Sequence, residues 1–374
     1  RRLRRGIVSM NGPAHRHYRR LLAQAVRKAA VEAHAPGIAA AVASELDSWP
    51  VGQEADLFAL CRGLLRRIAL SQLFAAGDAA EACRVSDMIN EHLRMNTSKG
   101  VLACPVNLPG TPFRGMLRYA EKVETAVLAW AAQRQGQPRS DDLLSLVVNA
   151  PDETGHPIGQ EAIAGHVPTL FGAAYETCQS ALFWCLLLLH QHPAVAGALA
   201  EALRDEDDPA LLDQVVREAM RVLPPVPFQI RRASRDNELL GCPMADGDRV
   251  FLSIFLINRD PETWEEARCF RPGRWAGRDP LAYDYPVFSA GPRVCIGALF
   301  ARAALKESLR QILRRFRPAI RPGTRIDRRI SVTMAPSRAV PTLLHPADGA
   351  FAAAPLTGNM MDLVDWRASA RAVP

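Results

Sequence analysis

The sequence predicts a mainly α-helical protein with a minor β part, and three observations support this fold class. Apolar residues recur at helical spacing through the first half of the 374-residue chain, as in LFALCRGLLRRIALSQLF at 57–74. Long helices are also predicted over 116–133, 163–190 and 209–222. Short β-like runs bounded by Gly, Pro and Asp come only later, in FQIRRAS, RVFLSIFLI and RISVTMAP.

Each remaining element follows from a local signal. Two further helices are predicted in HRHYRRLLAQAVRKAAVEAH and IAAAVASELDSWP, and the Pro- and Gly-rich stretch 97–113 predicts a loop. Pro168 lies inside the 163–190 pattern, so that helix should begin or kink there. A last helix should follow Cys295, with an apolar stripe made of Leu305, Leu309, Ile312, Leu313 and Phe316.

Composition excludes several classes of protein. The formal charge is +7, but the arginines are spread along the chain, so a nucleic-acid binder is not predicted. The longest apolar run, Ala181 to Leu189, falls far short of the roughly 20 residues of a membrane span. The eight cysteines contain no CxxC pair and RRLRR at the start precedes no apolar signal segment, so we expect a cytoplasmic protein.

No linker-like composition separates the two halves of the chain. We therefore expect a single domain over residues 1–345. The Ala- and Pro-rich tail, residues 346–374, carries no pattern to which a structure can be assigned.

The stretch FSAGPRVCIG, residues 288–297, predicts a reactive or metal-binding thiolate. Cys295 precedes a predicted helix, whose free N–H groups and dipole favour a thiolate, and Arg293 adds positive charge. Gly291 and Gly297 allow a tight turn and the close approach of a flat ligand. The residues alone leave three readings open: a nucleophile, a metal ligand, or a buried inert cysteine.

This stretch resembles the FxxGxRxCxG haem-binding loop of the cytochrome P-450 family. Phe288, Gly291, Arg293, Cys295 and Gly297 all match. The resemblance implies the family's α-rich triangular prism with small β-sheets and a haem b cofactor. Cys295 would then be the axial thiolate ligand of the iron, a ligand that favours O–O cleavage.

Two further segments resemble structural motifs of the same family. Glu218 and Arg221 in VVREAMRVLPP match its ExxR motif, and FRPGRW at 270–275 resembles its meander. The resemblance implies that Arg274 completes a buried triad with this pair. Gly273 stands where the family usually has Glu, which leaves the triad itself intact. Without the resemblance, Glu218 and Arg221 would be an exposed i,i+3 ion pair.

The helix containing GAAYETCQS resembles the family's oxygen-binding helix. Ala173, Glu176 and Thr177 match the family pattern, whereas Ala174 stands where glycine is usual. The resemblance implies that Glu176 and Thr177 are catalytic. Because both lie in an otherwise apolar helix, we expect the Glu176 carboxylate to be buried.

The resemblance also implies residues around the haem and the substrate. His15 and Arg19 in GPAHRHYRRLL, together with Arg231 and Arg293, would bind the propionates by charge-assisted hydrogen bonds. The family layout implies a substrate pocket lined by five residues: Leu170, Ala173, Leu223, Val226 and Phe228.

The implied activity is that of a haem-thiolate monooxygenase that inserts one oxygen of O2 into an apolar organic substrate. Because the chain has no GxGxxG and no clustered cysteines, its electrons should come from an acidic ferredoxin or flavodoxin with an NAD(P)H reductase. Two alternatives remain open: an enzyme that uses or rearranges peroxides, and a non-catalytic haem-binding fragment. The second stays open because the chain lacks the family's N-terminal segment.

Overall fold

The computed structural model describes residues 6–74, 79–136, 142–152, 154–205 and 209–366. The helices found in these ranges are α1 (Gly12–Leu22), α2 (Lys28–Leu46), α3 (Leu57–Ile68), α4 (Ala79–Asn96), α5 (Lys99–Ala103), α6 (Pro112–Ala132), α7 (Leu143–Val148), α8 (Gln160–Gln191), α9 (Pro193–Asp205), α10 (Pro209–Val222), α11 (Ile254–Ile257) and α12 (Ala298–Arg315). The strands are β1 (Glu54–Asp56), β2 (Gln229–Arg232), β3 (Asn237–Leu239), β4 (Cys242–Met244), β5 (Arg249–Leu252), β6 (Phe316–Ile320), β7 (Arg328–Ile330), β8 (Met334–Pro336) and β9 (Pro341–Pro346). This helix-rich content with small antiparallel sheets confirms the predicted fold class.

The contacts divide the chain into two compact units. Unit 1 comprises the described residues within Arg1–Ser48, Arg62–Cys178 and Ile296–Glu307. Unit 2 comprises those within Trp49–Cys61, Gln179–Cys295 and Ser308–Pro374. In the described ranges every strand belongs to unit 2, while unit 1 is built from helices.

Aromatic side chains fill the core of unit 1. The Phe74 ring stacks on Trp130 with centroids 5.8 Å apart, and Phe171 of α8 meets Phe74 edge-on at 5.5 Å. Tyr175, one turn after Phe171, donates a hydrogen bond to the Asn90 side chain of α4. These contacts fix the middle of α8 within the helical unit.

The sheets of unit 2 are small and antiparallel. β9 lies between β1 and β6, and β7 pairs with β8 as a hairpin. The ladders β2–β5 and β3–β4 share one register, from Gln229 opposite Leu252 to Leu239 opposite Cys242. Residues 229–252 therefore form one long hairpin whose base carries Gln229 and Arg231.

Several boundaries differ from the sequence prediction. α10 runs from Pro209 to Val222 as predicted, but α8 begins at Gln160 and continues through Pro168. The β prediction for RVFLSIFLI is wrong after Leu252, because the Ser253 hydroxyl accepts a hydrogen bond from the Leu256 N–H and caps the short helix α11.

Two more segments depart from expectation. Phe316, predicted as the end of the last helix, is the first residue of β6. The predicted loop 97–113 contains the helix α5.

Residues 346–366 of the tail pack onto unit 2. Gly323 and Ile326 donate backbone hydrogen bonds to Pro355 and Thr357, and Met360 is fully buried. Gly358 has φ +101°, and an added Cβ would lie 2.4 Å from the Ile326 carbonyl oxygen, so only glycine fits this contact.

No single helix in the described ranges is both long and apolar enough to cross a membrane. One helix pair, Gln160–Gln191 with Pro193–Arg204, meets the length and composition criteria only when the two are counted together across a 111° bend.

Candidate active site

The loop that ends in Cys295 is closed by its own backbone. The Cys295 N–H donates to the Phe288 carbonyl at 2.7 Å, and the Val294 N–H donates to Gly291 at 3.0 Å. Gly291 has φ +66°, which glycine adopts without steric cost. The loop thus presents Cys295 three residues before α12 begins.

Cys295 differs from the structural cysteines of the chain by its exposure. Cys61 and Cys185 are buried, and burial raises the pKa of the Cys61 thiol and raises that of Cys185 to about 12. Cys295 and Cys242 are exposed. The reading of Cys295 as a buried inert thiol is therefore wrong.

The base of the long hairpin contacts this loop. The Ser289 hydroxyl donates to Gln229 Oε1 at 3.0 Å, and Arg231 Nη2 donates to the same oxygen at 2.8 Å. Arg231 is half-buried and has no carboxylate partner among the described residues. The Cys295 loop and the Arg231 guanidinium, which could bind an anion, are therefore connected through Gln229 in unit 2.

In unit 1, α1 carries the other two predicted haem contacts. His15 is buried, and Arg19 is half-buried one turn later on the same helix face. Arg19 makes no ion pair within the described ranges. Arg293, on the Cys295 loop of unit 2, is also half-buried.

Glu218 lies at the centre of an ion network, and neither its side chain nor that of Arg221 has any exposed surface. It accepts hydrogen bonds at 2.9 Å from Arg221 Nε, Arg221 Nη2 and Arg274 Nε. Arg221 also donates to the carbonyls of Asn258, Ala267 and Cys269, at 2.7–3.0 Å. The sequence-predicted pair and Arg274 are therefore in contact.

Two further donors to Glu218 were missed by sequence reasoning. The Trp275 indole N–H and the Arg271 backbone N–H each donate to the carboxylate at 2.9 Å. Only the adjacency of Trp275 to Arg274 could have signalled this. Burial alone would raise the pKa of Glu218, but the charges of Arg221 and Arg274 outweigh it and hold that pKa below its ordinary value.

Aromatic rings surround this network in the same unit. The Arg221 guanidinium lies 5.2 Å from the Trp264 ring centroid, and Trp264 packs against Trp275 at 5.4 Å. Tyr285 contacts both indoles and donates to the Arg217 carbonyl at 2.8 Å. The segment that leads into the Cys295 loop is thereby attached to the ion network.

On α8, the Thr177 hydroxyl donates to the Ala173 carbonyl at 3.1 Å. Thr177 and Glu176 are both half-buried, and Ala173 is exposed. The expectation of a buried Glu176 is therefore corrected: the residue is half-buried. The negative charge of Glu176 adds to burial in raising the pKa of the neighbouring Tyr175 phenol.

The predicted pocket residues fall into two groups. Ala173 is exposed, and Val226 and Phe228 are half-exposed, with the Phe228 ring 5.9 Å from that of Phe251. Leu170 is buried, and Leu223 has no exposed surface. Leu223 is therefore a core residue, which corrects its assignment as a pocket wall.

Comparisons with known proteins match this geometry. The family model described as Cytochrome P450 matches residues 1–342. The chain belongs to the cytochrome P450 family. It is 30% identical over 346 residues to P450 137 of Mycobacterium tuberculosis, covering 90% of this chain and 72% of the relative.

Other relatives of this cytochrome P450 are named for an activity. The pentalenene oxygenase of Streptomyces avermitilis is 27% identical over 85% of this chain and 74% of its own. Among solved structures, the retinoic-acid-bound cyanobacterial CYP120A1 has a TM-score of 0.77 at 23% identity, covering 91% of this chain and 81% of its own. These matches identify the chain as a cytochrome P450 monooxygenase, and the family implies a haem cofactor.

The described residues fit a haem in their donor chemistry. In unit 2 the family's thiolate position is held by an exposed thiol, Cys295, and the half-buried Arg231 has no carboxylate partner in the described ranges. A thiolate suits the iron of a porphyrin, and a guanidinium group without a carboxylate partner suits a propionate.

Proposed function

We propose that this cytochrome P450 inserts one oxygen of O2 into a small apolar organic substrate, with haem b bound through Cys295. The exposure of Cys295 on a loop closed by the Phe288 carbonyl is the observation that carries the proposal. When bound, the thiolate-ligated haem supplies the activation of O2. Haem b in particular is supported by the absence of a CxxCH attachment motif in the sequence.

We assign propionate binding to Arg231 and Arg293 in unit 2. The family resemblance assigns the same role to His15 and Arg19, which lie on α1 of unit 1. This assignment is supported by charge, because hydrogen bonds between cationic side chains and carboxylates are stronger than those between neutral groups. The buried network of Glu218, Arg221 and Arg274 would hold the segment that leads to the Cys295 loop.

Proton delivery is assigned to Thr177 and Glu176. The Thr177 hydroxyl can donate and accept at one atom, and its present acceptor is the Ala173 carbonyl of its own helix. The half-buried Glu176 carboxylate can exchange protons with solvent and resupply that hydroxyl. The half-exposed Val226 and Phe228 of unit 2 and the exposed Ala173 on α8 of unit 1 are apolar, which supports an apolar substrate.

Electrons would come from an acidic ferredoxin or flavodoxin with its NAD(P)H reductase. Arg16 and Arg20 of α1 are exposed, and Arg302 and Lys306 add charge on α12 of the same unit. An attraction of this kind is screened by salt, so the reduction rate should fall as ionic strength rises. The eight cysteines of the sequence, none of them in a CxxC pair, support a reducing compartment, the cytoplasm, as the location.

The test supplies purified holoprotein with NADPH and a surrogate ferredoxin system and screens apolar substrates for oxygenated product. Arg16→Glu with Arg20→Glu should slow reduction, whereas Arg235→Glu, at an exposed arginine of the long hairpin, serves as the matched control. Product formed only when peroxide replaces NADPH would favour the peroxide-using alternative. Haem binding without oxygenated product from either NADPH or peroxide would favour the non-catalytic haem-binding fragment.

A further inference from the structure

Ser289 has an unusual backbone conformation at the start of the Cys295 loop. Its φ is 65° and its ψ is 180°, a region that is essentially restricted to glycine. Such a conformation persists only where surrounding contacts hold it. Its N–H bonds the Pro286 carbonyl at 2.8 Å, and its hydroxyl bonds Gln229 Oε1 at 3.0 Å.

Gln229 serves two partners with one oxygen. An amide oxygen has two lone pairs, and here one accepts from Ser289 Oγ and the other from Arg231 Nη2 at 2.8 Å. Gln229 itself is fixed in β2 by its pairing with Leu252. A change at Gln229 would therefore be felt by the loop and by the arginine together.

The loop partner of Gln229 adjoins the contact that positions the thiol. Ser289 follows Phe288, whose carbonyl accepts the Cys295 N–H at 2.7 Å. A connected path thus runs from the Arg231 guanidinium through the Gln229 oxygen to Ser289 and Phe288, and on to the Cys295 backbone. Every group in it belongs to unit 2.

We propose that Gln229 is a positioning residue that couples the placement of Arg231 to that of the Cys295 loop. This inference rests on the proposed function, in which Arg231 binds a haem propionate and Cys295 the iron. Gln229 contacts Ser289 and Arg231, and it would act on the propionate and the iron only through these two residues. Because of this coupling, the distance between the Arg231 guanidinium and the Cys295 thiolate would be fixed.

The test measures haem loss from purified holoprotein to a haem-scavenging apoprotein. Gln229→Leu removes the shared acceptor, so the haem-loss rate should rise by about 3- to 10-fold, the equivalent of one hydrogen bond. Arg232→Leu, at the next exposed arginine of β2, is the matched control and should leave the rate unchanged. Equal rates for the two variants would overturn the proposal.

A double-mutant cycle tests the coupling itself. Ser289→Ala removes only the hydroxyl. Its combination with Gln229→Leu should raise the logarithm of the haem-loss rate by less than the sum of the two single changes. Additive effects would show that Gln229 and Ser289 act independently, against the proposal.

Gln229→Glu separates positioning from folding. It keeps an acceptor for Ser289, so haem loss should be slower than in Gln229→Leu, but its charge pairs with Arg231 and should lower the iron reduction potential. An unchanged potential together with no rescue of haem retention would contradict the proposed role.

Cys295→Ser is measured in parallel. If Cys295→Ser keeps a thiolate-type spectrum, the proposed function fails. If it loses that spectrum while Gln229→Leu behaves as the wild type, only the positioning role fails.

Discussion

Two carboxylates of this protein have contrasting surroundings: Glu218 lies in an ion network, and Glu176 lies beside Thr177 on α8. Glu218 has no exposed surface and accepts five hydrogen bonds from Arg221, Arg274, Trp275 and the Arg271 backbone. Glu176 is half-buried, and the hydroxyl beside it bonds a carbonyl of its own helix.

The difference suits the first region to a scaffold and the second to the proposed proton delivery. A buried carboxylate surrounded by donors cannot change its protonation without losing those bonds, so the Glu218 network is suited to holding structure. A half-buried carboxylate next to a hydroxyl can take up and release protons. Substitutions in the first region should therefore act on stability, and substitutions in the second on the reaction.

The largest effect is expected at the scaffold. Arg221→Ala leaves Glu218 buried with less compensation and should cost about 3–5 kcal/mol of unfolding free energy, with loss of haem incorporation. Arg94→Ala, which breaks an exposed ion pair with Glu91, should leave the unfolding free energy close to that of the wild type. Urea unfolding measures both, and near-equal values for the two variants would show that the network does not hold the fold.

The next effect is expected at Thr177. Thr177→Ala removes the Thr177 hydroxyl but no hydrogen bond of the Glu218 network, so haem content and iron reduction should match the wild type. NADPH consumption should continue while product falls and hydrogen peroxide is released, because proton delivery fails. The ratio of product formed to NADPH consumed is the measurement. A wild-type ratio in Thr177→Ala would exclude this hydroxyl from the proton path.

A smaller change is expected one turn away on the same helix. Ala174 stands where the family usually has glycine, so its methyl would narrow the proposed O2 groove. Ala174→Gly should raise the ratio of product to NADPH, at a cost of roughly 1 kcal/mol or less in helix stability. If the ratio falls, the methyl is not a source of uncoupling.

The regions also differ in how far their sequence reveals them. Glu218 and Arg221 are three residues apart on one helix, so local spacing predicted their contact. Trp275 and the carbonyls that bind Arg221 come from segments some 40–60 residues away, and only the folded chain brings them together.

Burial and backbone strain were beyond local patterns as well. Leu223 follows the ExxR motif, and nothing in the sequence around it indicates that its side chain is buried in the core. Ser289 has a positive φ, which a serine in the sequence does not predict. The Ser289–Gln229 bond joins residues 60 positions apart. Motifs therefore predicted which side chains matter, while tertiary packing decided what holds them.

A further effect concerns pH and involves two of the buried histidines, one taken from each unit. Burial lowers the pKa of His166 in unit 1 and of His190 in unit 2 to about 4 in each case. Each ring stays neutral in the folded state but takes a proton on unfolding below about pH 6.5. Stability should thus be full above about pH 6.5 and decline towards pH 4, by at most about 1.4 kcal/mol per pH unit for each histidine.

His166→Phe and His190→Phe should each flatten this decline, and His156→Phe, at an exposed histidine, should not. Unfolding free energy measured between pH 4 and 7 checks the prediction. Identical slopes in all four proteins would show that neither buried ring contributes.

The carbon-monoxide spectrum of the reduced protein tests the central claim most directly. Cys295 and Cys242 are both exposed, which makes Cys242→Ser the matched control for Cys295→Ser. If Cys295 supplies the axial thiolate, Cys295→Ser abolishes the thiolate-type spectrum and Cys242→Ser retains it in full. A thiolate-type spectrum that survives in Cys295→Ser would contradict the assignment of the active site.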